Sequence, residues 1–118
     1  MDSKAKEKIE KIIYDRKRAH KFFVENSRVY KSFVEMEERT FSKGHLDKKS
    51  KELIALGISI HKNCESCMEW HMKQALDSGA TKEQILEAIE VGMEMGGGPA
   101  TVSSRFALQV LEHYTNQD

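Results

Sequence analysis

From residue 9 to residue 114 the apolar side chains of this chain recur at three- and four-residue steps, and its one proline, Pro99, stands where the last of those runs begins. That spacing lines apolar groups along one face of an α-helix. Alternation of the kind a strand needs is found nowhere, nor is an internal repeat or a linker-like tract. The pattern predicts an all-α fold of about six helices, and 118 residues are enough for one domain, residues 1–118, around one hydrophobic core.

The first helix is expected over residues 3–25, with Ile9, Ile12, Ile13, Ala19, Phe22 and Phe23 on one face. A second, about 27–42, carries the stripe Val29, Tyr30, Phe33, Val34 and Met36 and ends near Gly44. Asp47 can cap a third helix running to about residue 61; residues 53–60 are apolar almost all round, which implies burial on several sides. Asn63 is expected to cap a fourth, about 64–78, folded back on the third as a tight hairpin. Gly79 then stops it, and Thr81 with Gln84 forms a capping box for a fifth, about 82–95. There Glu83, Glu87, Glu90 and Glu94 make a solvated stripe opposite Ile85, Leu86, Ile89 and Met93. A sixth helix follows "GGGPA" at 96–100, with proline favoured just inside its start. The three glycines are read as a close approach between helices five and six; the order of a phosphate-binding loop is missing and no strand precedes them.

Nineteen basic and nineteen acidic residues cancel, so no global field recruits nucleic acid. The local surplus in residues 1–21, eight Lys or Arg against four Asp or Glu, falls on a helical pattern and reads as a solvated face. No apolar run approaches the roughly 20 residues of a membrane span, and the start lacks the apolar stretch of a signal peptide. A cytoplasmic protein without nucleic-acid or membrane partners is expected.

Both cysteines lie in "NCESCMEWH", residues 63–71. On a helix, Cys64, Cys67 and His71 are separated by steps of three and four, so they project from one stripe and the two sulfurs can meet. A helix start favours a thiolate, because unpaired N–H groups and the positive end of the macrodipole face it. A purely structural disulfide here closes so small a loop that it stabilises by only about 2 kcal/mol. Two other readings stay open. The cysteines could be buried thiols without a reaction, or Cys64, Cys67 and His71 could hold zinc with Glu52 or His61 as the fourth ligand, although no second pair at metal-finger spacing exists.

A thiol that ionises at neutral pH needs a proton acceptor. If helices three and four fold back about residue 62, Glu52 falls opposite His71 and Met72. A carboxylate on so apolar a helix needs a partner, so a contact between Glu52 and His71 is expected; the alternative leaves Glu52 in a solvated first turn. Glu65, between the cysteines, places an opposing negative charge beside them. Trp70, Met68, Met72, Met93 and Met95 read as packing, in the core or between subunits, before they read as a substrate pocket. The chemistry indicated is thiol–disulfide exchange or two-electron reduction of a peroxide.

Glu52, Cys64, Cys67 and His71, in the frame E-x(11)-C-x-x-C-x-x-x-H, together with the downstream "GGGPA", resemble the alkylhydroperoxidase D-like, carboxymuconolactone decarboxylase superfamily over about residues 46–112. The resemblance implies an all-α subunit assembled into trimers or hexamers, with no cofactor and no metal. It implies that Glu52 and His71 take a proton relay, that Cys67 is the thiol the relay serves and that Cys64 is the second redox thiol. The substrate would be a small peroxide or the disulfide of a partner protein. Alkylhydroperoxidase D has a histidine just before its second cysteine, where this chain has Ser66. The decarboxylase branch of the superfamily does acid–base chemistry on a lactone acid without depending on a cysteine pair, and remains the alternative, beside a zinc-binding or non-catalytic oligomeric domain.

Overall fold

The computed structural model describes residues 2–115. They form six helices: α1 (Ser3–Asn26), α2 (Arg28–Phe41), α3 (Lys48–His61), α4 (Glu65–Asp77), α5 (Lys82–Gly96) and α6 (Gly98–Thr115). Local side chains set most of the boundaries. Ser27 accepts the Tyr30 N–H at 3.0 Å and Asp47 accepts the Ser50 N–H at 2.8 Å, while Thr81 and Gln84 close the expected capping box of α5.

The start of α4 departs from expectation. Asn63 does not cap it; the residue adopts φ 53° and ends α3 instead. Its N–H donates to the Ile60 carbonyl at 3.1 Å and the Cys64 N–H donates to the Ser59 carbonyl at 3.0 Å, the two bonds of a Schellman motif. Asparagine tolerates the left-handed conformation that so short a reversal requires, and its side-chain oxygen accepts from the Ser103 hydroxyl at 2.9 Å. The cap of α4 is therefore Cys64, whose Sγ accepts the Cys67 N–H at 3.2 Å.

Helix α3 lies at the centre, packed most extensively on α5 and α4, and α6 crosses both of those. The core joins Leu56 and Ile60 of α3, Met68 and Met72 of α4, Ile85 and Ile89 of α5, and Phe106 and Val110 of α6, with Ile9 of α1 inserted among them. At the α3–α5 contact a Cβ on Gly92 would stand 2.7 Å from the Gly57 carbonyl oxygen and 2.7 Å from the Ile60 Cβ. This close approach of α3 and α5 lies outside the glycine triplet. Within that triplet Gly96 makes the expected approach between α5 and α6, since a Cβ there would stand 2.7 Å from the Ala100 Cβ, whereas Gly97 supplies φ 71° between the two helices and Gly98 faces open space.

Two apolar faces stay uncovered in the single chain. Ile54 and Ile58 of α3 are about half exposed, so that helix is buried on fewer sides than its composition suggested. Leu86, Val91 and Met95 of α5 are exposed as well. The expected stripe on α2 is present, but no residue of that helix is buried, and Phe22 and Phe23 of α1 continue the same exposed surface. Periodicity finds an apolar face without saying what covers it. Among the described residues no helix is long and apolar enough to cross a membrane.

In a solvated helix, replacing glycine by alanine stabilises by about 1 kcal/mol. At Gly92 the added methyl meets backbone and a core side chain, and Gly92→Ala is expected to destabilise by about 1–3 kcal/mol in urea unfolding. A gain in stability would contradict the close α3–α5 contact.

Candidate active site

The α3–α4 hairpin brings Glu52 onto His71, the pairing expected from its register. The His71 Nδ1–H donates to Glu52 Oε1 at 2.7 Å, and Lys48, one turn before Glu52, donates from Nζ to Oε2 at 2.7 Å. Lys48 also reaches the Gln74 side-chain oxygen at 3.3 Å. Glu52 is only 2% exposed, which excludes the solvated first-turn alternative. Burial pushes its carboxyl up, but the hydrogen bonds and charges of His71 and Lys48 outweigh burial and hold it below its ordinary value. The ionised carboxylate accepts the Nδ1 proton of His71 and leaves Nε2 as the nitrogen free to take one.

One turn before His71 on α4 lies Cys67, joined to Cys64 in a disulfide whose Cα atoms are 5.2 Å apart. Both cysteines are half-buried. The backbone N–H that Cys64 Sγ accepts belongs to Cys67 itself, so the first turn of α4 supplies the pair with a donor. Glu65, expected to oppose a thiolate, is bound by Lys8 of α1 at 2.9 Å, which offsets its charge. Ser66 is exposed.

Phe41, the last residue of α2, lays its ring against the imidazole of His71, with centroids 5.3 Å apart. It shares a small cavity of about 260 Å³ with Trp70, Lys48 and Glu52, and Glu37 and Glu38 stand at its edge. Trp70 therefore borders the site instead of serving only as packing, while Met68 and Met72 belong to the core and Met95 is exposed.

Sequence reasoning missed a second buried carboxylate. Glu69 is fully buried and is bonded by the guanidinium of Arg16 and by the hydroxyl of Tyr114, which joins α1, α4 and α6. Burial and the Glu69 carboxylate push the Tyr114 hydroxyl far above its ordinary pKa, so it stays a donor. Arg16 also lies over the Trp70 ring, 4.9 Å from its centroid. An acidic residue between Met68 and Trp70 on a core-facing helix was the available signal; its partners, 53 and 45 residues away, had none.

The zinc alternative has little support in this arrangement. The sulfurs are bonded to each other, the Glu52 carboxylate is held by His71 and Lys48, and His61 is exposed. Among the described residues no group of three His, Cys, Asp or Glu is placed to hold a metal ion.

Comparison with known proteins places the chain in a family. A model described as the carboxymuconolactone decarboxylase family matches residues 27–110. An uncharacterized protein of the cox locus of Paracoccus denitrificans is 42% identical over 81 residues, covering 69% of this chain and 73% of that protein. The alkyl hydroperoxide reductase AhpD of Corynebacterium kroppenstedtii is 36% identical over 56 residues, 48% of this chain but 32% of the reductase. In structure, a carboxymuconolactone decarboxylase family protein from Legionella pneumophila superposes with a TM-score of 0.84 at 31% identity, over 92% of this chain and 97% of its own. A family protein from Thermotoga maritima, for which involvement in an antioxidative response has been suggested, gives 0.83 at 26% identity over 90% and 91%. The chain belongs to the carboxymuconolactone decarboxylase family.

Proposed function

We propose that this protein is a thiol-dependent oxidoreductase that reduces a peroxide, or the disulfide of a partner, through Cys64 and Cys67. The observation that carries this reading is the bonded cysteine pair on the same stripe of α4 as a histidine whose far side is held by a buried, ionised carboxylate. The similarity to an alkyl hydroperoxide reductase over part of its length adds to it.

In the dithiol form, His71 takes the Cys67 proton on Nε2 while Glu52 holds Nδ1–H and stabilises the imidazolium. The Cys67 thiolate attacks one peroxide oxygen; the O–O bond breaks, and the departing alkoxide takes the proton from His71 and leaves as an alcohol. Cys67 is now a sulfenic acid. The Cys64 sulfur attacks that of Cys67, its own thiol proton leaves with the hydroxyl as water and the disulfide forms, so one peroxide is reduced by two electrons drawn from the two thiols. With a partner's disulfide as oxidant, the same thiolate forms a mixed disulfide that Cys64 resolves.

Decarboxylation of a lactone acid needs only acid–base groups, and Glu52 with His71 could supply them. Against it stand Glu37 and Glu38 at the edge of the cavity beside Glu52, since like charge disfavours an anionic substrate there. Intact-mass analysis with thiol counting decides between the readings. One equivalent of hydroperoxide should remove both free thiols without adding oxygen, and Cys64→Ser should stop at a single added oxygen on Cys67. Two thiols that survive the peroxide would refute the redox reading.

The uncovered apolar faces support a homo-oligomer as the working form. Ile54, Ile58, Val91 and Met95 line a groove floored by Gly57 and Gly92, and a patch of that kind on a small domain marks an interface. Sedimentation should give a multiple of the 13.6 kDa chain mass, lowered by Ile58→Glu. A species of single-chain mass at micromolar concentration would contradict the assembly.

A further inference from the structure

A second cleft, of about 680 Å³, shares no lining residue with the cavity beside Glu52. Its volume is that of a ligand pocket. Asn63 and Glu65, the two neighbours of Cys64 in the chain, form part of its wall, so the turn that carries Cys64 borders it. The other walls include Lys8 of α1, His61 at the end of α3, and Arg105 and Phe106 of α6.

The cleft carries an unbalanced positive charge. Lys8 and Glu65 offset one another, and the Lys8 ammonium rests 4.7 Å from the centroid of the Phe106 ring. Among the described residues the side chains of Arg105 and His61 make no hydrogen bond or ion pair. An exposed guanidinium without an anion of its own is a group that a carboxylate can bind, in two parallel hydrogen bonds. Charge of the opposite sign prevails at the cavity beside Glu52, where Glu37 and Glu38 stand at the edge. Of the two cavities, only the positively charged one is bordered by the turn that carries Cys64.

We infer that this cleft receives a small thiol bearing a carboxylate, which reduces the Cys64–Cys67 disulfide by attack on Cys64. The inference rests on the oxidoreductase reading and assigns the class of its electron donor. Attack at Cys64 has a chemical reason as well as a spatial one. The bond that breaks then leaves its electron pair on Cys67, one turn from His71, where an imidazolium that has taken the proton of the incoming thiol on Nε2 can stabilise the departing thiolate or protonate it. The incoming thiolate forms a mixed disulfide with Cys64. A second thiolate attacks the sulfur of the bound thiol, releases Cys64 as a thiolate and departs as the oxidised donor disulfide. Two thiols thus supply the two electrons that a turnover with peroxide consumes.

Three small thiols test the assignment: 3-mercaptopropionate, 2-mercaptoethanol and cysteamine, which carry a negative charge, none and a positive charge. Rates of disulfide reduction in the full chain are compared per thiolate, corrected for thiol basicity. At low salt the mercaptopropionate rate should exceed that of mercaptoethanol by about threefold to tenfold. The ratio should shrink toward one at high ionic strength, and Arg105→Glu should invert the preference in favour of cysteamine. Peptide mapping of the quenched reaction should find the mixed disulfide on Cys64. Equal rates for the three thiols, a preference unaltered in Arg105→Glu, or adduct on Cys67 would each overturn the inference. The oxidoreductase reading fails separately: it falls if mercaptoethanol cannot open the disulfide or hydroperoxide cannot re-form it, and it survives if both occur without charge preference.

Discussion

A carboxylate buried between two antiparallel helices is the constraint around which the site is organised. Glu52 sits on a helix whose neighbours, Leu53 and Leu56, face apolar surroundings, and an isolated charge there would be strongly disfavoured. Two donors remove the penalty: His71 from the facing helix and Lys48 from the preceding turn. Satisfying the charge fixes which imidazole nitrogen holds a proton, and with it which nitrogen remains to serve a thiol. The hairpin's register and the orientation of His71 are thus tied to one buried ionised group.

The turn between the two helices is the second determinant. A Schellman closure at Asn63 ends α3 and makes the next residue the cap of α4, and that residue is Cys64. The same few peptide units that reverse the chain therefore place a sulfur at the positive end of a helix, where thiolate is favoured. A cysteine caps less well than serine or aspartate, so its presence at this position costs some helix stability; the position it gains is beside Cys67 on the stripe that continues to His71.

How much of this could be read beforehand follows from the range of each interaction. Cys64, Cys67 and His71 share a stripe because helical spacing is local, and Glu52 was reached by counting equal steps from one turn. Lys48 was within the same reach, four residues before Glu52, and was overlooked. Phe41 against His71, Lys8 on Glu65, and Arg16 with Tyr114 on Glu69 depend on how α1, α2 and α6 return to α4, for which periodicity holds no information. The close α3–α5 crossing was missed for a related reason. Gly57 and Gly92 lie singly inside helical runs, where nothing local marks them, while in the conspicuous triplet at 96–98 Gly96 meets α6 as expected and Gly97 turns the chain. Asn63 was assigned to the wrong helix because the residue types that begin a helix and those that tolerate a left-handed ending overlap.

The claim on which the redox reading turns is that His71, held by Glu52, lowers the pKa of Cys67. The pH dependence of alkylation of Cys67 in the Cys64→Ser background, with and without Glu52→Gln, measures it directly. A relay through His71 predicts a thiol that reacts at a pH below that of an ordinary cysteine, near 8.5, and a profile displaced upward once the carboxylate is lost. Superimposable profiles with an ordinary thiol pKa would contradict it.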